Sequence, residues 1–111
     1  MKEIKAYIKQ HKLDEVIWAL HKIEGLSGVS ILAAQGCGRG WHRNGSNPGD
    51  LIHQRTLAKL EIFCRDELVP EVVASIEKAA HTGLMGDGKI YVIDVEQAVR
   101  ISTGERGIGA I

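Results

Sequence analysis

Residues Ile4 to Lys22 read IKAYIKQHKLDEVIWALHK, and Leu60 to Lys78 read LEIFCRDELVPEVVASIEK. A shift of 56 positions lays one on the other: Ile4 falls on Leu60, Ala6 on Ile62, Lys9 on Arg65, Glu15 on Glu71, Val16 on Val72, Ile17 on Val73, Leu20 on Ile76 and Lys22 on Lys78. Apolar meets apolar, and charge meets like charge. In the first copy Ile4, Ala6 and Ile8 alternate with Lys5, Tyr7 and Lys9, the pattern of a strand with one buried face. Leu13, Val16, Ile17, Leu20 and Ile23 follow at helical spacing, with Asp14 and Glu15 near the start, where negative charge complements the helix dipole, and Gly25 at the end. The second copy gives a strand over Leu57 to Cys64 and a helix over Val69 to Ala80, whose first turn takes Pro70 without losing a hydrogen bond. Val72, Val73, Ile76, Ala79 and Ala80 form its inner face.

A further strand follows each helix, one beginning at Val29, Ile31 and Ala33 and one over Ile90 to Val95. Two βαβ units in one short chain predict an α+β fold of the ferredoxin-like βαββαβ kind, a single antiparallel sheet with both helices on one face. The other face is then bare. Tyr7, Leu32, Phe63, Tyr91 and Ile93 can supply apolar groups to it, so further copies of the chain are the expected cover and the protein is expected to be a homo-oligomer.

The chain has 111 residues, enough for one domain spanning 1–111. Fourteen basic and fourteen acidic residues cancel, so no global field gathers nucleic acid or an anionic membrane, and any anion site must be local. Met1-Lys-Glu-Ile-Lys leads straight into strand alternation, and no apolar run approaches the length of a membrane span, so a cytoplasmic protein without membrane insertion is expected. Cys37 and Cys64 lack CxxC spacing and read as free thiols.

Two stretches lie outside the repeat. Thr82 to Lys89, Thr-Gly-Leu-Met-Gly-Asp-Gly-Lys, packs three glycines and a lysine into eight residues, which lets the backbone turn tightly, gather N–H groups and set a cation at the rim. It is an anion site in outline. It does not fit the Walker spacing, because Gly-Asp-Gly-Lys leads into a strand, and the same glycines also suit a plain tight connection. The second stretch, Gly40 to Arg55, is far longer than an ordinary hairpin loop and carries Trp41, Leu51 and Ile52 among polar residues. Trp41 suits a partner anchor, or a side chain folded back on the body.

From Ile4 to Ile111 the chain resembles the PII signal-transduction family. The resemblance is carried by Ile8-Lys9 before Lys12-Leu-Asp-Glu-Val16, by Gly36-Cys-Gly-Arg39, by Thr82-Gly83 with Gly86-Asp-Gly-Lys-Ile-Tyr-Val92, and by Arg100-Ile-Ser-Thr-Gly-Glu105 before a Gly-Ala-Ile end. It implies a homotrimer that binds ATP or ADP in clefts between subunits and docks a long T-loop, here about 37–56, onto a transporter, enzyme or regulator. It also implies that Gly86, Asp87, Gly88 and Lys89 hold the nucleotide phosphates. Arg100, in a C-terminal segment spanning 98–111, would reach them from the adjacent subunit, a guanidinium being able to pair two phosphate oxygens. Gly38 and Arg39 match a segment that closes over the nucleotide. Ser30 stands where a threonine helps hold the adenine, with Phe63 on the strand beside it. Gly36, Gly40 and Trp41 belong to the effector and partner loop.

Departures from the family pattern carry their own expectations. Ser102 replaces the second of two arginines; it stays a candidate contact, but ADP or AMP is then expected to bind at least as well as ATP. Gly40 replaces a glutamine that helps bind Mg-ATP and 2-oxoglutarate, and Leu57 replaces a lysine before the third strand, so 2-oxoglutarate sensing is not expected. No tyrosine lies between Gly40 and Arg55, so the family's uridylylation site is missing. The Gly36 to Gly40 stretch forms a second candidate nest of N–H groups, suited to a small carboxylate or bicarbonate. A metal-binding module remains the alternative, with Cys37, His42 and His53 as ligands, although their spacing matches no structural-zinc pattern. Nitrogen regulation with 2-oxoglutarate is the other. No nucleophile, base and orienting group stand together in the sequence, so an enzyme is not expected and no cofactor is required.

Overall fold

The computed structural model describes residues 1–37 and 55–111. Strand β1 (Lys2–Lys9) leads into helix α1 (Leu13–His21), and strand β2 (Ser30–Gly36) follows; strand β3 (Arg55–Cys64), helix α2 (Val69–Ala80) and strand β4 (Gly88–Asp94) repeat the order. The strands form one sheet in the order β2-β3-β1-β4, with every neighbouring pair antiparallel. This is the ferredoxin-like arrangement, and its halves correspond in detail. A single 3₁₀ turn at Gln10–Lys12 precedes α1, and another at Asp66–Leu68 precedes α2, the same 56 positions apart.

Alternation decides which strand residues go inside. Ile4, Ala6 and Ile8 of β1 and Ala58, Leu60, Ile62 and Cys64 of β3 are buried beneath Val16 and Leu20 of α1 and Val72, Ile76 and Ala80 of α2. Each large aliphatic side chain removed from water in this layer contributes about 1.5–3 kcal/mol. Helix α1 ends two residues before Ile23, but Ile23 N–H donates to the Leu20 carbonyl at 3.0 Å, so the chain tightens there and Ile23 still reaches the core. Among the described residues no helix is long and apolar enough to cross a membrane.

The register puts Tyr7, Leu32, Phe63, Tyr91 and Ile93 together on the face away from the helices. Tyr7 and Tyr91 meet edge to face, their ring centres 6.4 Å apart. Leu32, Phe63, Tyr91 and Ile93 each keep 40% or more of their surface exposed in the single chain. The expected bare face is therefore present. Cys37 and Cys64 are free, one exposed after β2 and the other buried in β3.

Candidate functional site

The turn from Thr82 to Lys89 closes on one of its own carboxylates. Asp87 accepts from Thr82 N–H at 2.8 Å, from Gly83 N–H at 3.0 Å and from the Thr82 hydroxyl. Lys9 Nζ lies 3.1 Å from Asp87 Oδ1 and donates to Thr82 Oγ1 at 3.1 Å, and His81 Nδ1 stands 3.7 Å from Asp87 Oδ2. The Thr82 hydroxyl, then the Thr82 N–H, then Lys9 and the Gly83 N–H hold the Asp87 carboxyl far below the ordinary carboxylate range, against the partial burial that opposes them. Asp87 organises the turn from inside.

The glycines make that closure sterically feasible. Gly86 and Gly88 have φ of +91° and +103°, a region that side-chain-bearing residues rarely adopt. A Cβ on Gly88 would stand 1.7 Å from the Tyr7 carbonyl oxygen, because Gly88 opens β4 directly against β1. Lys89 is exposed and has no ion-pair partner among the described residues. A cleft of about 410 Å³ lies alongside, lined by Asp87, Gly88, Lys89, Tyr7 and Ile8 with the C-terminal half of α2.

Strand direction sorts the other candidate residues. Ile8 pairs with Gly88, Lys9 with Leu57 and Gly36 with Arg55, so the turn shares one end of the sheet with Gly36, Cys37, Lys9 and Arg55. Ser30 opens β2 opposite Glu61, and Phe63 lies near the end of β3, at the other end. There a cavity of about 500 Å³ is lined by Phe63, Ser27, Val95 and Arg100. Arg100 is held by its own segment: its N–H donates to the Glu105 carbonyl at 2.8 Å, Nη2 donates to the Gly109 carbonyl at 3.2 Å, and Nη1 lies 3.9 Å from Glu105 Oε2. Ser102 and the fully exposed Ile101 occupy the turn between the paired Val99 and Arg106. At about 3.4 Å per residue, strand β2 alone sets the two ends on the order of 20 Å apart.

The candidate residues therefore fall into two groups at opposite ends of the sheet. Gly38, Arg39, Gly40 and Trp41 lie outside the described residues, as do His42 and His53 of the alternative metal site. Among the described residues no group of three His, Cys, Asp or Glu side chains is placed to hold a metal ion. Two features went unread in the sequence. Arg55 touches the turn from β3, and Trp18, exposed on α1, stacks on His21 at 6.0 Å between centres with Lys22 Nζ 5.7 Å from its ring.

The family model described as nitrogen regulatory protein P-II matches residues 1–105. Proteins of that name are 43% identical in Azospirillum brasilense, 44% in Rhodospirillum rubrum and 41% in Haemophilus influenzae, with the whole of both chains covered each time. P-II proteins are signal-transduction regulators that act on partner proteins, are usually trimeric and are not enzymes. The chain belongs to the P-II family of nitrogen regulatory proteins.

Proposed function

We propose that this regulator is a homotrimer that binds an adenine nucleotide between neighbouring copies and uses the occupancy of that site to control a partner protein through the loop between β2 and β3. The observation that carries this is the separation of the half-sites: the glycine turn with Lys89 lies at one end of the sheet, and Arg100 with Phe63 lies at the other. A copy docked through the bare face can bring the second set against the first. Gly86, Gly88 and Lys89 then hold phosphates from one side, while Arg100 reaches them from the next subunit and Ser30 and Phe63 border the base. Asp87 supports the turn and leaves Lys89 to the ligand.

With Ser102 in place of a second arginine, ADP and AMP bind at least as well as ATP. The second input is a small carboxylate or bicarbonate at Gly36 to Gly40 beside Arg39, and not 2-oxoglutarate, since Gly40 and Leu57 supply neither amide nor ammonium. The ligand favours one loop state over another by binding it more tightly, and the loop carries that difference to a transporter or metabolic enzyme in the cytoplasm.

Isothermal titration with ATP, ADP and AMP tests this, repeated on Arg100→Ala. Saturable binding that Arg100→Ala weakens by about tenfold or more, the scale of a lost charge-assisted hydrogen bond, supports it. Failure of all three nucleotides to bind contradicts it.

A further inference from the structure

The turn between Val99 and Arg106 is closed on itself and holds an isoleucine in water. Val99 pairs with Arg106, Arg100 N–H donates to the Glu105 carbonyl at 2.8 Å, Gly104 N–H donates to the Arg100 carbonyl at 2.8 Å, and Glu105 N–H donates to Thr103 Oγ1 at 3.2 Å. Ile101 at its tip is 98% exposed, more than any other large apolar side chain among the described residues. The backbone that carries it is already ordered, so burying it against a partner costs little further entropy.

The cleft between α2 and the start of β4 has the opposite shape. It measures about 410 Å³, and the partly buried Val73 and Ile90 leave apolar surface along it, above the core residues Ile8, Ile76 and Ala80. Because β4 is an edge strand, the cleft can be entered from beside the sheet. Glu77 lines it, exposed and without an ion-pair partner among the described residues. Arg106, at the foot of the turn that carries Ile101, is exposed and unpaired among them in the same way.

We infer that Ile101 of one copy seats in this cleft of the next, with Arg106 set against Glu77. The inference rests on the proposed function, in which Arg100 of one copy reaches the glycine turn of its neighbour. Asp87, Gly88 and Lys89 of that turn also line the cleft, and Ile101 follows Arg100 at a Cα spacing of about 3.8 Å, so the segment that delivers the one delivers the other. Within one chain the two features stand at opposite ends of the sheet and cannot meet. The charges left unmatched beside them are opposite in sign, one beside the protruding side chain and one beside the hollow, which fixes which turn enters which cleft. Seated there, Ile101 holds in place the turn that carries Arg100.

The test is disulfide trapping. In a Cys37→Ser background, Ile101→Cys combined with Glu77→Cys should form covalent dimers and trimers on mild oxidation, since a disulfide requires Cα atoms within about 7 Å. Ile101→Cys combined with Lys22→Cys, on the exposed end of α1, should not. Sedimentation gives a second reading: Ile101→Asp should raise the concentration at which the trimer dissociates by about tenfold or more, through the lost apolar burial and the carboxylate put in its place. The side chain is exposed in the single chain, so the variant still folds, as its circular dichroism should report. A trimer that shows no 101–77 cross-link, or whose dissociation Ile101→Asp leaves unchanged, overturns the inference and leaves the nucleotide site standing. A wild-type protein that sediments only as a monomer overturns the inference and the proposed homotrimer together.

Discussion

Lys9, the last residue of β1, sets its ammonium 3.1 Å from the Asp87 carboxylate and so ties the end of the first strand to the turn before the last. The pair is part-buried, and the carboxylate also accepts from Thr82 and Gly83. Because the folded state holds Asp87 below its unfolded value near 4, its contribution is complete above that pH and is lost as acid titrates the folded carboxylate. Asp66, held down by its bond to the Met1 ammonium at 2.9 Å, acts in the same direction. Asp87→Asn should therefore lower the urea midpoint at pH 7 and flatten, without abolishing, the fall in stability below about pH 4. Equal acid slopes in the two proteins would show that Asp87 does not couple the turn to folding.

Gly88 and Gly104 both have positive φ but differ in their surroundings. A Cβ on Gly88 meets the Tyr7 carbonyl, whereas one on Gly104 meets nothing within 4 Å. Gly104→Ala should cost about 1–2 kcal/mol, the ordinary strain of a left-handed residue. Gly88→Ala should cost at least about 4 kcal/mol or prevent folding, since β1 and β4 must separate to admit it. Denaturant melts of the two variants make the comparison.

Ile93 belongs to the open face of the sheet and is 40% exposed in a single chain. Ile93→Glu should leave the chain folded and shift sedimentation from trimer to monomer, because a carboxylate buried between copies loses its hydration. An unchanged trimer would place the interface elsewhere.

Bicarbonate, if it is the second input, should tighten ADP binding about five-fold or more, a coupling of roughly 1 kcal/mol, and Arg39→Ala should remove the effect. Titrations of ADP with and without bicarbonate, matched in pH and ionic strength, decide this. Tightening by 2-oxoglutarate alone would restore the sensing mode that Gly40 and Leu57 argue against.

The repeat made most of the fold legible. Each half carries its own alternation and helical spacing, and the bounds of α2 follow from Pro70 at the start and the last apolar pair, Ala79 and Ala80, at the end. The 3₁₀ turns were not legible, because Gln10–Lys12 and Asp66–Leu68 are three residues each, too short to carry a period. Glycine spacing located the turn at 82–89, but not the direction in which Asp87 points. That follows from how the turn closes on Thr82 and Gly83, with Lys9, more than seventy residues away in sequence, as a further partner. Arg55 read only as the end of a long loop; its approach to Gly86 exists because β3 outruns β1, a fact of register. Trp18 was hidden within an otherwise ordinary amphipathic helix.

If each nucleotide site is shared between copies, mixing two variants reveals it. Lys89→Ala and Arg100→Ala each damage every site of a homotrimer, one through the turn and the other through the C-terminal segment. Co-refolded in equal amounts, they should regain about a quarter of the wild-type ADP sites, because half of the turns and half of the C-terminal segments remain intact and pair at random around the ring. If each site lies within one chain, the mixture regains none.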